Sequence, residues 1–402
     1  MAQVQGTCDP RFEKVRTLFQ SFLDSGAEIG ASLTVNLAGQ TVLDLYGGHA
    51  DAPRTRPWHH DTLVPIASST KTVTALAVLM LVDSGAITSV HDKVCKYWPE
   101  FAANGKQDIE IRHLLSHTSG VAGWEDPITM AEICDPASDA AARLAAQAPW
   151  WEPGTAGGYH AWNYGHLLGE VVRRVTGGVR LKEFVAQRIA GPLGADFQIG
   201  LHREDEGRVS EFIAPPSKGG GGMPAGFKPG PLFMKAIANP PMPPDFGRTR
   251  AWRDGEVGAS NGVTNARGLN AILSQITLAG ATSAADESKE EKKEKKTYLL
   301  SKPTVDLIFQ EQARGPDLAV GQNIRWGIGY ALRGDGETWV DDRLPAGRIA
   351  YWGGSGGSLG IMDVDRGLTI TYAMNLRSAS ALGNEASTAY LRAIYEALGV
   401  GI

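Results

Sequence analysis

The chain has 402 residues and a formal net charge of −5, with 43% hydrophobic and 21% charged residues. These values are typical of a globular protein with a large core, and the length favours two or three domains. A net negative charge without a basic cluster argues against a nucleic-acid-binding protein. The cysteines are far apart and predict neither a disulfide framework nor a metal site. They are Cys8, Cys95 and Cys134.

The N-terminal segment has no basic start followed by an apolar run, so we expect no signal peptide. No uncharged apolar stretch approaches the ~20 residues that a membrane-spanning helix needs. Unpaired cysteines suit a reducing compartment. The sequence therefore predicts a cytoplasmic protein without a membrane partner.

The first part of the chain predicts a helix and then a β-hairpin. The helix begins at Asp9-Pro10 and ends near Gly26. Residues 31–37 alternate with period two, residues 38–40 turn the chain, and residues 41–46 return as the second strand. The apolar side of the helix contains Phe12, Val15, Phe19 and Phe22.

The segment 66–81 predicts a helix that carries a serine and a lysine at its start. Ser68 and Ser69 stand where N-cap residues belong, and the helix is expected to end near Gly85. Ser68 and Lys71 are three residues apart and so share a face. A hydroxyl beside an amine, next to helix-start N–H groups, suits acyl transfer through a serine. The apolar spacing predicts one buried face, formed by Val73, Leu76, Ala77, Met80 and Leu81.

The middle of the chain, residues 71–319, predicts a mostly helical domain, with helices near 109–120, 136–148, 163–176 and 302–309. The Pro/Gly-rich stretch 215–244 predicts no regular element, and is interpreted either as a surface loop or as the wall of a pocket. The segment 286–296 mixes many charges of both signs and predicts a solvated insertion.

The C-terminal part predicts strands at 326–332, 348–352 and 367–375, followed by a helix at 386–398. These strands are the expected antiparallel companions of the N-terminal hairpin. We therefore expect an α/β (α+β) fold, in which 1–70 and 320–402 form an antiparallel sheet flanked by helices. The helical domain is inserted between them.

Several longer segments resemble those of the serine β-lactamase-like hydrolases of the class C β-lactamase type, and are most similar to family VIII esterases. These segments are 47–51, 61–71, 111–121, 153–169, 260–262 and 352–358. They occur in the order that this family has. The resemblance implies a β-lactamase/penicillin-binding-protein-like fold with the site in a cleft between the sheet and the helical insertion.

The resemblance also implies catalytic roles. Ser68 corresponds to the nucleophile, Lys71 to its close partner and Tyr159 to the third member that exchanges the proton. Which of Lys71 and Tyr159 acts as the base is left open. The family's Tyr-x-Asn is replaced by Tyr159-His160-Ala161, and Tyr164 is an alternative tyrosine.

The segment beginning at Trp352 departs from the β-lactamases, which have Lys-Thr-Gly where this chain has Trp352, Gly353 and Gly354. The missing lysine removes a cation that could hold the carboxylate of a penicillin, so neutral esters are favoured. The two glycines allow a substrate close to the strand backbone. By the resemblance, the Ser355 N–H joins the Ser68 N–H as the oxyanion hole.

Two other serines lie in Gly-x-Ser-x-Gly patterns, Ser260 and Ser358. Neither stands between a predicted strand and a predicted helix, as the nucleophile of an α/β-hydrolase does. His113 and His117 are four apart, but no third zinc ligand accompanies them. The resemblance implies that these histidines are structural residues of the turn at 118–120.

The sequence thus predicts a serine hydrolase that cleaves carboxylic esters of small molecules through an acyl-enzyme on Ser68. An acyltransferase that passes the acyl group to an alcohol is the alternative. A β-lactamase or a non-catalytic binding protein is less favoured. No metal or organic cofactor and no nucleic-acid partner is implied, and the oligomeric state is left open.

Overall fold

The computed structural model describes residues 3–214, 229–281, 298–338, 340–378 and 383–402. The charged segment 286–296 and the first part of the Pro/Gly-rich stretch, residues 215–228, lie outside these ranges. The sequence-based expectations for both stay predictions.

The described strands form two antiparallel sheets. They are β1 Gln5–Cys8, β2 Gly30–Leu37, β3 Gln40–Gly48, β4 Val64–Pro65, β5 Phe197–Ile199, β6 Gly262–Thr264, β7 Ala313–Pro316, β8 Asn323–Trp326, β9 Ala331–Leu332, β10 Ile349–Gly353, β11 Leu359–Asp363 and β12 Leu368–Met374. Within the described residues, the large sheet has the order β1-β3-β2-β12-β11-β10-β9-β8-β7 and the small one the order β4-β6-β5. In the large sheet β2 pairs with β12, with Val35 opposite Ile370.

Some helices of the described residues lie on the two faces of the large sheet. Others belong to the part of the chain between the N-terminal and the C-terminal strands of that sheet. They are α1 Glu13–Ser25, α2 Thr70–Asp83, α3 Ile111–Leu115, α4 Met130–Cys134, α5 Ala140–Ala146, α6 Tyr164–Val175, α7 Leu181–Val185, α8 Gly191–Leu193, α9 Phe233–Ala236, α10 Arg250–Asp254, α11 Ala266–Ala281, α12 Lys302–Ile308 and α13 Glu385–Ala397. The one-turn helix α9 lies in the stretch 215–244, where the sequence predicted no regular element.

The N-terminal helix and hairpin are confirmed. Helix α1 ends at Ser25 and is capped by Gly26, whose φ of 76° is the left-handed conformation typical of a helix C-terminus. The turn between β2 and β3 consists of Ala38 and Gly39, with φ values of 50° and 86°. Such positive values are typical of tight hairpin turns that match the twist of the strands. The predicted strand 326–332 is split into β8 and β9.

Helices cover the large sheet on both faces. On one face α1 and α13 pack against the strands, and their buried residues include Phe19 and Tyr390. On the other face lies α11, where Asn270 Nδ2 donates to the carbonyls of Thr34 and Thr369 at 3.2 Å each. The antiparallel sheet flanked by helices is therefore confirmed.

Helix α2 is buried on nearly all sides, whereas its sequence predicted one buried face. Thr70, Thr72 and Thr74 are all completely buried. Their hydroxyls donate 2.6 Å hydrogen bonds to the carbonyls of Ala67, Ser69 and Gly258 respectively. Hydroxyls satisfied in this way can lie in a core at little cost. Helix α2 is thus the central helix of the helical region.

The start of α2 also differs from the prediction. Neither Ser68 nor Ser69 caps the helix through its side chain. Instead, residues Ala67–Ser69 form a 3₁₀ turn that leads into the helix. The Ser68 hydroxyl is therefore free for contacts across the site.

The boundary of the helical insertion is less simple than the sequence suggested. Strand β7 and helix α11 both lie within 71–319, yet β7 belongs to the large sheet and α11 covers it. The division of the chain into two domains at 70 and 320 stays a prediction.

Candidate active site

Ser68 lies in a backbone segment that is held from several directions. The residue before it, Ala67, has a φ of 45°, a left-handed conformation that costs energy for a residue other than glycine. Thr70 Oγ1 fixes this turn, because it donates to the Ala67 carbonyl at 2.6 Å and accepts the Gly262 N–H at 2.8 Å. On the other side, Ser69 Oγ lies 2.9 Å from Ser358 Oγ.

Lys71 Nζ lies 3.2 Å from Ser68 Oγ. The same nitrogen lies 2.8 Å from the Ala161 carbonyl and 2.9 Å from the Ala259 carbonyl. The side chain of Lys71 is buried, and burial lowers its pKa well below the usual value because a charged ammonium loses its hydration. A neutral amine can donate to both carbonyls and turn its lone pair towards the Ser68 hydroxyl.

Tyr159 is the third group beside Ser68. The Ser68 side chain lies close enough to its phenol to act on the pKa of the phenol, and its ring centre lies 4.7 Å from Lys71 Nζ. Trp352 Nε1 donates to the Tyr159 oxygen at 3.4 Å. Burial raises the pKa of Tyr159 above its usual value, although the neighbouring Ser68 and Trp352 side chains act to lower it. Tyr159 is therefore a neutral phenol at neutral pH.

Tyr159 is positioned by two residues that sequence reasoning missed, Asp317 and Trp326. Asp317 Oδ1 accepts the Tyr159 N–H at 3.0 Å, and its Oδ2 accepts Trp326 Nε1–H at 3.1 Å. The Trp326 ring stacks on the Tyr159 ring with centroids 6.3 Å apart. Asp317 and Trp326 come from the edge of the large sheet, and no local sequence pattern marks either residue as part of a site.

The end of β10 is docked against the nucleophile segment. A side chain at Gly354 would place its Cβ 2.1 Å from the Ile66 carbonyl oxygen, so only glycine fits there. Gly354 N–H donates to the Ser358 carbonyl at 2.9 Å, and Ser358 Oγ donates to the Ile66 carbonyl at 2.8 Å. Strand β10 ends at Gly353, and Ser355 is an exposed residue of the turn that follows.

The Ser355 N–H makes no hydrogen bond to a backbone carbonyl in the described part of the chain. It is therefore available as a donor to a ligand beside the nucleophile segment. Trp352 is 5% exposed and lies with Tyr159 and Trp326 in one aromatic cluster. We call Tyr159, Trp326 and Trp352 the aromatic wall.

The alternative residues occupy other positions. Tyr164 is fully buried in α6, and its hydroxyl donates to the Leu115 carbonyl at 3.0 Å. Ser358 is followed directly by β11, and Ser260 follows a turn and not a strand, so neither lies in a strand-to-helix elbow. The Ser358 hydroxyl instead holds the nucleophile segment in place through its hydrogen bond to the Ile66 carbonyl.

The two histidines at 113 and 117 make contacts that hold turns. His113 Nδ1 accepts the Glu110 N–H at 3.1 Å, and His117 Nδ1 accepts the His160 N–H at 3.1 Å. The ring of His117 also packs against Trp326, with centroids 4.4 Å apart. Among residues 3–214, 229–281, 298–338, 340–378 and 383–402, no cluster of His, Cys, Asp or Glu side chains could hold a metal ion. In the same ranges, no helix combines the length and the apolar character needed to cross a bilayer.

Comparison with known proteins agrees with this geometry. A crystal structure described as that of a family VIII carboxylesterase is 34% identical to the chain. It covers 98% of this chain and 100% of its own, with a TM-score of 0.85, and so confirms the predicted fold. The esterase/beta-lactamase LipL of Mycobacterium tuberculosis is 30% identical over 307 residues, which are 69% of this chain and 65% of LipL.

The acyltransferase calJ of Penicillium decumbens is 29% identical over 211 residues, which are 44% of this chain and 48% of calJ. The matches thus span less than two-thirds of LipL and of calJ. A family model described as "Beta-lactamase" matches residues 15–393, a range that contains Ser68, Lys71, Tyr159 and the end of β10. Because this match covers nearly the whole sequence and agrees with the fold, the chain belongs to the β-lactamase family.

Proposed function

We propose that this protein is a serine esterase that cleaves carboxylic esters of small molecules through an acyl-enzyme on Ser68. The observation that carries the proposal is the position of Ser68 Oγ, which lies 3.2 Å from Lys71 Nζ and beside the Tyr159 phenol. A hydroxyl in contact with a buried amine and a buried phenol has both a base and a proton donor at hand. Neither a capped helix nor a binding module needs this arrangement.

In the acylation step, Lys71 acts as the base. Its lowered pKa favours the neutral amine, whereas the raised pKa of Tyr159 keeps the phenol protonated. Lys71 takes the Ser68 proton while Ser68 Oγ bonds to the ester carbonyl carbon. The Tyr159 phenol then protonates the departing alkoxide and regains its proton from the Lys71 ammonium. The products are the acyl-enzyme and a neutral alcohol.

The negative oxygen of the tetrahedral intermediate lies between the N–H groups of Ser68 and Ser355. This assignment is supported by the free Ser355 N–H and by the docking of Gly354 against Ile66. A preorganised donor of this kind typically contributes a factor of about 10²–10³ to kcat. In deacylation, water loses a proton to Lys71 and bonds to the acyl carbon. The bond between the acyl carbon and Ser68 Oγ then breaks, the Lys71 ammonium returns the proton to Ser68 Oγ, and the acid is released.

Transfer of the acyl group to an alcohol is the second candidate. The observation that favours it is the aromatic wall, whose Trp352 and Tyr159 are only 5% and 7% exposed. An apolar surface beside the acyl group favours an organic alcohol over water as the acceptor. The similarity to the acyltransferase calJ supports the same candidate. In either case the substrate is a small-molecule ester, and the free cysteines suit a cytoplasmic location.

The proposal is tested by intact mass spectrometry after brief exposure to p-nitrophenyl butyrate and to a serine-reactive phosphonate. The wild type is expected to gain one butyryl or one phosphonyl group, and Ser68→Ala neither. Ser260→Ala serves as the matched control, because it removes a serine of the Gly-x-Ser-x-Gly type and should label normally. Labelling that persists in Ser68→Ala, or that is lost in Ser260→Ala, contradicts the proposal.

The same experiment separates the two candidates. A butyryl adduct that decays in water within seconds to minutes indicates an esterase. An adduct that is stable in water but disappears on addition of a short-chain alcohol, with formation of the new ester, indicates an acyltransferase.

A further inference from the structure

The side chain of Arg377 packs against the turn that contains Ser355. Its Nη2 is 3.5 Å from Ser355 Oγ, at the long end of the hydrogen-bond range. The guanidinium carbon is 4.9 Å from the centre of the Phe212 ring, so the side chain rests on an aromatic face. The aliphatic part of Arg377 reaches Gly356, where an added Cβ would lie 3.2 Å from Arg377 Cγ.

The backbone around Arg377 is fixed on both sides. Arg377 N–H donates to the Ile213 carbonyl at 2.9 Å, and the N–H of Ser378 donates to the Gly356 carbonyl at 2.8 Å. The guanidinium is therefore held beside the turn by its own backbone and by Phe212. A planar donor fork held in one place is well suited to bind a planar anion.

This cation has no counter-ion in the described part of the chain. Many of the arginines there form ion pairs, as Arg348 does with Asp365 at 2.8 Å and Arg366 with Asp363 at 2.9 Å. Arg377 forms no such pair within the described residues, and its Nε is buried without a hydrogen-bond partner. Burial lowers its pKa, yet an arginine keeps its charge at neutral pH.

A partly buried charge without a counter-ion costs stability, because the hydration that it loses is not fully replaced. A protein is expected to keep such an unpaired cation where a bound ligand supplies the negative charge. The position of Arg377 fits this explanation, since Ser355 provides the second oxyanion donor of the proposed site.

We propose that Arg377, together with Ser355 Oγ, binds a carboxylate carried by the ester substrate, so that the enzyme prefers negatively charged esters to neutral ones. This inference rests on the proposed function. It changes the expectation drawn from Trp352, whose lack of charge favoured neutral esters. In the β-lactamases the strand lysine provides this cation, whereas here Arg377 provides it from the segment after β12.

The carboxylate can belong to the acyl part or to the alcohol part of the ester, since the chemistry of recognition is the same. Two matched pairs of substrates separate these sources. Mono-(4-nitrophenyl) adipate and its methyl ester differ in the charge of the acyl part. 4-Acetoxybenzoic acid and its methyl ester differ in the charge of the alcohol part.

The experiment measures kcat/KM of the wild type, Arg377→Gln and Arg377→Lys for all four esters. In at least one pair, the wild type is expected to prefer the charged ester by about ten- to a hundredfold, the range for a hydrogen-bonded charge pair, mainly through KM. Arg377→Gln should lower the charged-to-neutral ratio to near one. Arg377→Lys should give an intermediate ratio because it keeps the charge and loses the planar fork.

The matched control is Arg173→Gln, which removes a half-exposed arginine of α6 paired with Glu170 and should leave every ratio unchanged. Raising KCl from 50 to 500 mM should reduce the preference of the wild type for the charged ester. A wild-type ratio near one in both pairs overturns the inference. So does a loss in Arg377→Gln that is equal for charged and neutral esters, since this would show that Arg377 only supports the turn.

Failure of the inference and failure of the proposed function are distinguishable. If neutral esters acylate Ser68 but charged esters are not preferred, only the role of Arg377 is wrong. If none of the esters acylates Ser68, the proposed esterase itself is wrong.

Discussion

The buried amine of Lys71 is expected to favour the chemistry and to lower the stability of the fold. Its pKa in the folded protein is below the usual value of 10.5. At pH values between the two, the unfolded chain binds a proton that the folded protein does not, so stability rises with pH. The cost of burying Lys71 is largest in acid and disappears near pH 10.5.

Lys71→Met is therefore expected to be inactive but more stable than the wild type. At pH 7 its melting temperature should be higher by about 2 °C or more, and the difference should shrink as the pH approaches 10. Thermal unfolding between pH 6 and pH 10 measures this effect, with the exposed Lys14→Met as the control. A lower melting temperature for Lys71→Met at all pH values would contradict the prediction.

Some of the site residues could be predicted from the sequence and others could not. Ser68, Lys71 and Tyr159 lie in long local segments whose order along the chain is characteristic. Asp317 and Arg377 have no such surroundings, because each reaches the site through the pairing of strands that are distant in sequence. Only the three-dimensional arrangement of the sheet places them beside Tyr159 and Ser355.

The contact between the end of β10 and the nucleophile segment is expected to be essential for activity. Gly354→Ala would bring a methyl group against the Ile66 carbonyl and push the 354–357 turn away from Ser68. Loss of one oxyanion donor typically lowers kcat by about 10²–10³. We expect a decrease of this size in kcat, with a smaller change in KM.

Steady-state kinetics with p-nitrophenyl butyrate measure this effect. Gly207→Ala is the matched control, because nothing lies within 4 Å of a Cβ added there. A Gly354→Ala variant with normal kcat would show that the turn is not part of the oxyanion site.

Helix α2 shows what hydrophobic periodicity can and cannot predict. The spacing of Val73, Leu76 and Leu81 correctly indicated a helix and its end. It did not indicate that the threonines on the other side are buried as well. Their hydroxyls donate hydrogen bonds to carbonyls, and the carbonyl that Thr74 contacts belongs to Gly258, far away in sequence. Threonines in these positions therefore did not mark an exposed face of the helix.

In the whole molecule, the side chain of Glu28, just before β2, is hydrogen-bonded both to β12 and to the start of α13. Tyr372 Oη donates to Glu28 Oε1, and Asn384, the N-cap of α13, donates to the same oxygen at 3.4 Å. Burial raises the pKa of Glu28 to about 8, although these hydrogen bonds oppose the shift. The folded protein therefore holds a proton that the unfolded chain releases above its usual pKa of 4.5.

Because of this proton, the contribution of Glu28 to stability is present below pH 4.5 and is lost as the pH rises towards 8. Glu28→Gln is expected to have near wild-type stability at pH 4.5 and greater stability at pH 8.5. Urea unfolding at several pH values measures the difference, with the exposed Glu204→Gln as the control. A constant difference between Glu28→Gln and the wild type at all pH values would contradict the raised pKa.

The pairing of β2 with β12 has a consequence for synthesis of the protein on the ribosome. One edge of β2 pairs with β3, but the other edge has no partner until residues 368–374 have left the exit tunnel. Until then this apolar edge is open to pairing with other chains. The nascent protein is therefore expected to need protection by a chaperone for most of its translation, and to acquire the proposed esterase activity only after its last strand has been inserted.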